Sequence, residues 1–383
     1  MSILFWLGLA ILIVYAILGL DLVIGNRSVR LLREVTPDPD DTLPRVSIIV
    51  AARNEERKIL EALNSLLSLT YPDYEMIVVD DRSEDRTGPF LDGLATIVPR
   101  LRVIHVDQLP HGWLGKNHAQ WLGSHRASGE LLLFTDADII MEPTVLTRAV
   151  TLLEAERLDH LAATPAMRMP TTFLAMFGAS FIIFFSLFTR PWKARDPNSR
   201  RHIGIGAFNL VRAEVYRQVG GHETIRMRPD DDLKLGKIIK RAGFRQDVAF
   251  APEFLSVEWY SSLPDVIRGL EKNAFSGADY NVALVLFGAF FHATCSVWPY
   301  VAIFVTSGAT RALYAAVVCL IALLFMDCAR FHKAKPWHAV GYPLTAALFI
   351  YILLRTMILN LVQGGISWRG TFYPLRELKK NRV

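Results

Sequence analysis

Residues 131–142 read LLLFTDADIIME. Four apolar residues and a threonine run straight into two aspartates separated by one alanine, and the chain then returns to Ile139 and Ile140. Two readings compete. The segment is either a buried strand that ends in an ordinary exposed turn, or a strand that holds Asp136 and Asp138 rigidly at its carboxyl end as oxygen ligands.

The flanking sequence bears on the choice. VSIIV (46–50) is a short β-branched run followed by Ala51-Ala52-Arg53-Asn54-Glu55, and Leu60, Leu63, Leu66 and Leu67 then recur at helical spacing. EMIVVDDRS is a second strand that also ends in paired acids, Asp80 and Asp81. Asp85 to Leu94 reads as helix, LRVIHV as a third strand, GKNHAQWLGSHRA as a helix opened by glycine, and ELLLFTDAD as a fourth strand. Strands alternating with helices predict an α/β fold, a largely parallel sheet covered on both faces. Ligands bind such sheets outside the carboxyl ends of the strands, where both acid pairs fall. Two carboxylates about 4 Å apart repel by several kcal/mol at an effective dielectric near 20. A hard cation removes that penalty, so the pattern suits Mg2+ or Mn2+ shared with a diphosphate. Each acid pair taken alone is also compatible with a turn after a strand.

A third acidic cluster lies in RMRPDDDL (226–233), ahead of an amphipathic helix ended by Gly243. One Asp suffices to cap a helix. Three in a row repel, so one of them is a candidate general base. Lys116 in GWLGKNHA does not sit in a Walker A loop; it is either a phosphate partner or a solvated lysine. Gly204 and Gly206 in GIGAFNLV lack the third glycine of a dinucleotide fingerprint and read as a turn or a close backbone approach to a bound sugar. His222 reads as loop surface, and Trp113 and Trp121 as packing residues.

Of 383 residues, 52% are hydrophobic and 21% charged, the mixture expected of a water-soluble domain joined to membrane spans. Residues 3–20 carry no charge and are followed by Arg27, Arg30 and Arg33. With no basic n-region or cleavage site, the segment reads as a retained anchor. Segments near 282–305, 311–328 and 339–362 read as further spans, and 173–189 as an interfacial helix. The expected organisation is an anchor over 1–25, a linker over 26–44 and a catalytic domain over 45–260. An amphipathic surface segment over 261–280, transmembrane helices over 281–363 and a basic tail over 364–383 follow. The basic residues after the first span place the middle domain on the cytoplasmic side of the cell membrane. Four spans would leave the tail outside, yet it carries Arg369, Arg376, Lys379, Lys380 and Arg382, so span count and charge rule disagree. The net charge of +5 favours an anionic membrane surface over nucleic acid, for which no binding motif is present. Cys295, Cys319 and Cys328 have no metal-ligand spacing and read as reduced, packing cysteines.

The order VSIIVAARNEE, VVDDRSEDRT, GK, TDAD, GG and DDDL resembles the family 2 glycosyltransferases of the GT-A (Rossmann-like) fold over about residues 45–260. The nearest resemblance is to membrane-bound members that glycosylate lipids, ceramide glucosyltransferase-like and carotenoid- or hopanoid-associated enzymes. ISWRGTFYPL also resembles the tail of ceramide glucosyltransferases, which is cytoplasmic in that family. The resemblance implies that Ala51, Glu55 and Asp81 hold the nucleoside of a nucleotide-sugar with Asp80 supporting. It implies further that Asp136 approaches the ribose or sugar and that Asp138 ligates the metal. Asp231-Asp232 matches a Glu-Asp pair, with Asp232 the base; Asp at 231 departs from the pattern. Lys116 pairs with the diphosphate on this reading. The Gln-x-x-Arg-Trp motif of processive synthases is missing from IRGLEKNAF, where Lys272 stands as a non-equivalent substitute for its arginine. The implied activity is inverting transfer of one sugar, with a UDP-sugar as the expected donor, to the hydroxyl of a lipid. Transfer to a polyprenyl phosphate, with Arg200, Arg201, Arg226 and Arg228 as its anion pocket, polysaccharide synthesis, and a non-catalytic nucleotide-sugar sensor are the alternatives.

Overall fold

The computed structural model describes residues 2–37 and 43–383. It divides into two compact units. A sheet unit comprises Val29–Ala166, Pro191–Glu258 and Lys380–Val383, and an apolar helical unit comprises Met1–Ser28, Met167–Arg190 and Trp259–Lys379.

The chain opens with helix α1 (Ile3–Ser28) and enters the sheet unit at Val29. There β1 (Arg30–Leu31) and β2 (Val46–Ala52) are followed by α2 (Ile59–Leu67), β3 (Tyr74–Asp81), α3 (Thr87–Ala95), β4 (Leu101–Val106) and α4 (Gly115–Arg126). Next come β5 (Leu131–Asp136), β6 (Ile139–Met141), α5 (Val145–Ala155) and β7 (His160–Thr164). A short β8 (Ala166–Arg168) leads into α6 (Thr172–Thr189). The chain then returns through β9 (Asn209–Arg212), α7 (Ala213–Gln218), α8 (Gly221–Thr224), α9 (Asp231–Arg241), β10 (Gln246–Phe250) and β11 (Leu255–Glu258).

The main sheet has the order β1-β10-β7-β9-β5-β2-β3-β4. Its pairs are parallel except those that β9 makes with β5 and β7. Val46, Ile48, Ile49 and Val50 are buried, as a continuous apolar run must be when helices cover both faces of a parallel sheet. Register sets the functional edge. Ala51 pairs with Val79 on one side and with Asp136 on the other, while Asp80 pairs with Ala52 and His105. The ends of β2, β3 and β5 are therefore level, and Asp80, Asp81 and Asp136 share one edge.

Several boundaries differ from the sequence expectation. Helix α1 runs to Ser28, and part of the expected linker is structure, because Arg30 and Leu31 pair with β10. Residues 38–42 of that linker lie outside the described residues. Helix α3 starts at Thr87 because Asp85 stays outside it, its carboxylate accepting the Thr87 N–H. The stretch 173–189 groups with the apolar unit, not with the sheet. The last residues also divide from the rest of the tail: Asn381 in the sheet unit accepts the Met227 N–H and donates to the Thr224 carbonyl.

After the sheet, the apolar unit continues with α10 (Leu263–Glu271), α11 (Ala274–Gly277), α12 (Val282–Phe291), a π-helical turn at His292–Val297, α13 (Trp298–Val305) and α14 (Gly308–Ala329). A 3-10 segment (Pro336–Gly341), α15 (Tyr342–Gln363), the hairpin β12 (Gly365–Trp368) and β13 (Thr371–Pro374), and α16 (Leu375–Lys380) complete the chain. Among the described residues, five helices are long and apolar enough to cross a membrane: 3–28, 172–193, 282–305, 308–329 and 336–363. Inside this unit Tyr15, Ser296 and Tyr342 share hydroxyl hydrogen bonds, and Leu174, Phe177, Val266, Leu270 and Ile352 form one cluster. Ser262 starts α10 by accepting the Asp265 N–H, with Pro264 in the first turn where its missing N–H costs nothing. The three cysteines are free, and Cys295 and Cys328 are buried as packing residues.

Candidate active site

Lys116 is the hub of the edge. Gly115 begins α4, and Lys116 in its first turn reaches Asp136 Oδ1 at 2.8 Å and Asp231 Oδ2 at 3.3 Å. Burial alone would push the lysine pKa down, but the charges of Asp136, Asp231 and Asp232 outweigh it, and the pKa rises. The solvated-lysine reading therefore fails. Gly206 supplies the opposite wall. Its N–H donates to Asp232 Oδ2 at 2.8 Å and its carbonyl accepts the Asp136 N–H at 3.0 Å. A methyl group there would stand 2.6 Å from Asp136 Oδ2 and 3.5 Å from Asp232 Oδ2, so only glycine lets both acids close on this strip of backbone. Burial, then the neighbouring Asp231 charge, pushes Asp232 up to about 6. Such a value suits a base that must take a proton near neutral pH.

The acidic cluster at the start of α9 divides its tasks. Asp230 caps nothing with its side chain; it binds the buried Arg228 guanidinium at 3.1 Å and Lys234 at 3.3 Å. Arg228 is thereby tied into the fold instead of offering itself to an anion. Asp231 and Asp232 are left to face Lys116 and Gly206.

The second strand's acids point to opposite faces, as strand alternation requires. Asp81 lies against the start of α4, where a Cβ on Gly115 would stand 2.1 Å from its Oδ2, and it is flanked by Arg82 at 2.8 Å and Arg53 at 3.7 Å. Asp80 accepts the Ser83 N–H and pairs with His105 Nδ1 at 3.0 Å; His105 Nε2 reaches Asp92 at 2.9 Å. The bonds to Asp92 and then Asp80 raise the His105 pKa. His105 was not singled out from sequence, although a titratable residue at the carboxyl end of a strand beside an acid pair was the signal for it.

Asp138 stands near Asp136 and Glu55. Burial, then those two charges, pushes it up to about 6 despite Lys58 Nζ at 3.9 Å. Lys58 also reaches Glu258 Oε1 at 3.7 Å, and neither residue carried a sequence signal. A carboxylate so crowded by other acids is the group a divalent cation would relieve. Among the described residues no three His, Cys, Asp or Glu side chains can hold an ion alone. The residues fit a hard cation that takes its remaining oxygens from a diphosphate and water.

Other singled-out residues are structural. His222 is buried against Phe134 and bonds the Tyr216 hydroxyl at 2.8 Å, so it is not loop surface. Trp113 and Trp121 pack at 5.3 Å between ring centroids. Lys272 belongs to the apolar unit, its Nζ 4.1 Å over the Trp368 ring.

Residues 47–220 match the family model described as Glycosyl transferase family 2. Over those residues the chain is similar to family 2 glycosyltransferases. A β-monoglucosyldiacylglycerol synthase of Trichormus variabilis is 32% identical over 157 residues, 39% of this chain and 33% of that protein. A 4,4'-diaponeurosporenoate glycosyltransferase of Staphylococcus haemolyticus is 25% identical over 244 residues, 62% of this chain and 63% of that protein. The chain thus spans between 33% and 63% of the length of these curated relatives. A mannosyltransferase from Pyrobaculum calidifontis, solved in complex with GDP-Man and Mn2+, superposes with a TM-score of 0.57 at 20% identity, covering 94% of this chain and 99% of that one. That likeness is one of fold, and the fold is GT-A.

Proposed function

We propose that the chain is a membrane-bound, inverting glycosyltransferase that moves one sugar from a nucleoside-diphosphate sugar to the hydroxyl of a lipid. The observation that carries the reading is the convergence of Lys116, Asp136, Asp231 and Asp232 around Gly206 at the sheet edge that also bears Asp81 and Asp138. Asp81, Asp80, Ala51 and Glu55 bind the nucleoside, a UDP-sugar being the first donor to test, and Asp136 orients the sugar. The acceptor oxygen attacks the anomeric carbon in line, and Asp232 takes the proton of that hydroxyl. The bond from the anomeric carbon to the diphosphate oxygen breaks, and a nucleoside diphosphate departs with its electron pair. One displacement inverts the anomeric carbon. The Gly206 N–H fixes the Asp232 carboxylate, while Lys116 holds Asp136 and Asp231 and keeps Asp232 ionised. Asp138 would hold a divalent cation, Mg2+ or Mn2+, which when bound would supply charge neutralisation for the leaving diphosphate. The five apolar helices support a multi-pass place in the cell membrane, with the sheet unit cytoplasmic. The relatives named for diacylglycerol and carotenoid glycosides support a lipid acceptor.

The test is to incubate membranes containing the chain with labelled nucleotide-sugars and Mg2+ or Mn2+, then analyse extracted lipid by mass spectrometry. A lipid gaining one hexose mass, dependent on added cation, is expected. Label appearing only as free sugar, or only in a polymer, overturns the reading.

A further inference from the structure

We propose that three of the five apolar helices cross the bilayer, namely α1, the continuous α12–α13 and α14. On this reading α6 and α15 stay in the leaflet on the side of the sheet unit and form a surface for that leaflet's lipid. The inference is independent of the activity proposed above.

Chain connectivity gives the first constraint. Both ends of α6 join segments of the sheet unit, Ala166 before it and Pro191 after it. A helix that leaves one side and returns to the same folded unit makes no net crossing. The same constraint covers Trp259–Lys379, which begins after Glu258 and ends before Lys380, both in the sheet unit. The three long helices in this stretch cannot all cross, because three crossings would strand Lys380–Val383 on the wrong side.

Helix direction shows which one stays. Helix α1 ends at Ser28 on the sheet-unit side. Helix α14 runs parallel to it: Tyr314 bonds the Leu4 carbonyl, Gly8 meets Leu313, Gly19 meets Leu324, and Arg27 pairs with Asp327 at 2.6 Å. Therefore Ala329 lies on the near side and Gly308 on the far side. Only Thr306 and Ser307 separate α13 from α14, so α12–α13 runs outward from Asn281. Arg311 and Asp327 bracket the uncharged part of α14, about 24 Å of helix, close to a hydrocarbon core.

Helix α15 starts within the bundle and comes back. Tyr342 at its first turn meets the Tyr15 hydroxyl, and about 20 Å of helix separates Tyr15 from the near end of α1. Further along, Ile352 packs with Leu270, and Arg355 pairs with Glu271 of α10, the amphipathic helix that follows the sheet unit directly. The contacts Ser180–Thr345, Phe184–Phe349 and Phe184–Tyr342 pack it against α6. Helix α15 thus descends from mid-depth to the near surface. Its charged Arg355 reaches the interface instead of the hydrocarbon core, where it would be costly. Phe188, Leu344, Tyr351, Ile358 and Val362 remain exposed as a lipid-facing set.

Charge gives an independent reading. This arrangement puts Arg27, Arg30, Arg33, Arg330, Lys333, Lys335, Arg369, Arg376, Lys379, Lys380 and Arg382 on one side and leaves Arg311 on the other, as the positive-inside rule requires. The conflict between span count and charge disappears.

Variants of the full chain that each gain one cysteine, in sealed vesicles, test this with a membrane-impermeant maleimide. The unaltered chain, whose cysteines lie in α14 and the π turn, sets the baseline. Ser2→Cys and Ser307→Cys are expected to label from one face, and Asn198→Cys, Lys333→Cys and Arg369→Cys from the other. Ala334→Cys and Thr371→Cys replace any loop variant that fails to insert. Labelling of Lys333→Cys and Arg369→Cys from opposite faces means that α15 crosses and overturns the proposal. Labelling of Ser307→Cys and Asn198→Cys from the same face overturns it too.

Discussion

Replacing Lys116 with methionine keeps the length of the side chain and removes its charge. The lysine stands 2.8 Å from Asp136 and 3.3 Å from Asp231. Coulomb's law at an effective dielectric near 20 gives about 5–6 kcal/mol for each contact, before the cost of burying the charges is subtracted. The net penalty for orphaning a buried carboxylate is about 3–5 kcal/mol. The three acids reduce that penalty by holding a proton among them. Asp232, already pushed up to about 6, is then expected to rise by about one to two on the pH scale, each step worth 1.36 kcal/mol. A base at about 6 is about nine-tenths ionised at pH 7, whereas at 7 to 8 it is about a half to a tenth ionised. Turnover should fall about 2- to 10-fold at neutral pH for this reason alone and recover as pH rises toward 9. The assay is initial rate against pH, from 5 to 9.5, for both proteins at saturating donor. If the rate falls by one factor at every pH with the acid limb unmoved, Lys116 serves only the donor diphosphate and the electrostatic argument is refuted.

Two further substitutions probe the same edge. Gly206→Ala places a methyl group 2.6 Å from Asp136 Oδ2, and the resulting misalignment should lower turnover about 100-fold with donor affinity nearly kept; a normal rate would refute the close-approach argument. His105→Gln should raise the donor KM a few-fold and flatten its pH dependence. The raised His105 pKa means that the charged bridge to Asp80 and Asp92 is complete below the ordinary histidine range and lost as pH rises through the raised value. KM titrations at pH 6 and 9 check this, and an unchanged pH dependence would count against it.

The strands that build the site were legible because each obeys a local rule. VSIIV, EMIVVDD and LLLFTD are apolar runs that stop at polar residues, and the parallel pattern alone predicts their ends at one edge. The strands β7, β9 and β10 were not resolved from sequence. His160, Asn209 and Gln246 interrupt their pattern, and these polar side chains are buried because they bond one another. Such a partnership links residues far apart in the chain and leaves no periodic trace. Lys116 was ambiguous for the same reason. Its partners Asp136 and Asp231 are 20 and 115 positions away, and only the fold decides between solvent and an ion pair. The conflict over the tail had another origin. Hydropathy measures whether a helix tolerates lipid, and α6 and α15 do so, but it carries no information on whether both ends return to one side.

The most direct measurement is single-turnover sugar transfer by Asp232→Asn beside equilibrium binding of the nucleotide-sugar to the same protein. The account expects transfer to fall at least about 1,000-fold, because an amide cannot take the acceptor's proton, while donor affinity stays within a few-fold. Transfer at near the original rate, or a loss of activity explained wholly by lost donor binding, would contradict Asp232 as the base around which the site is built.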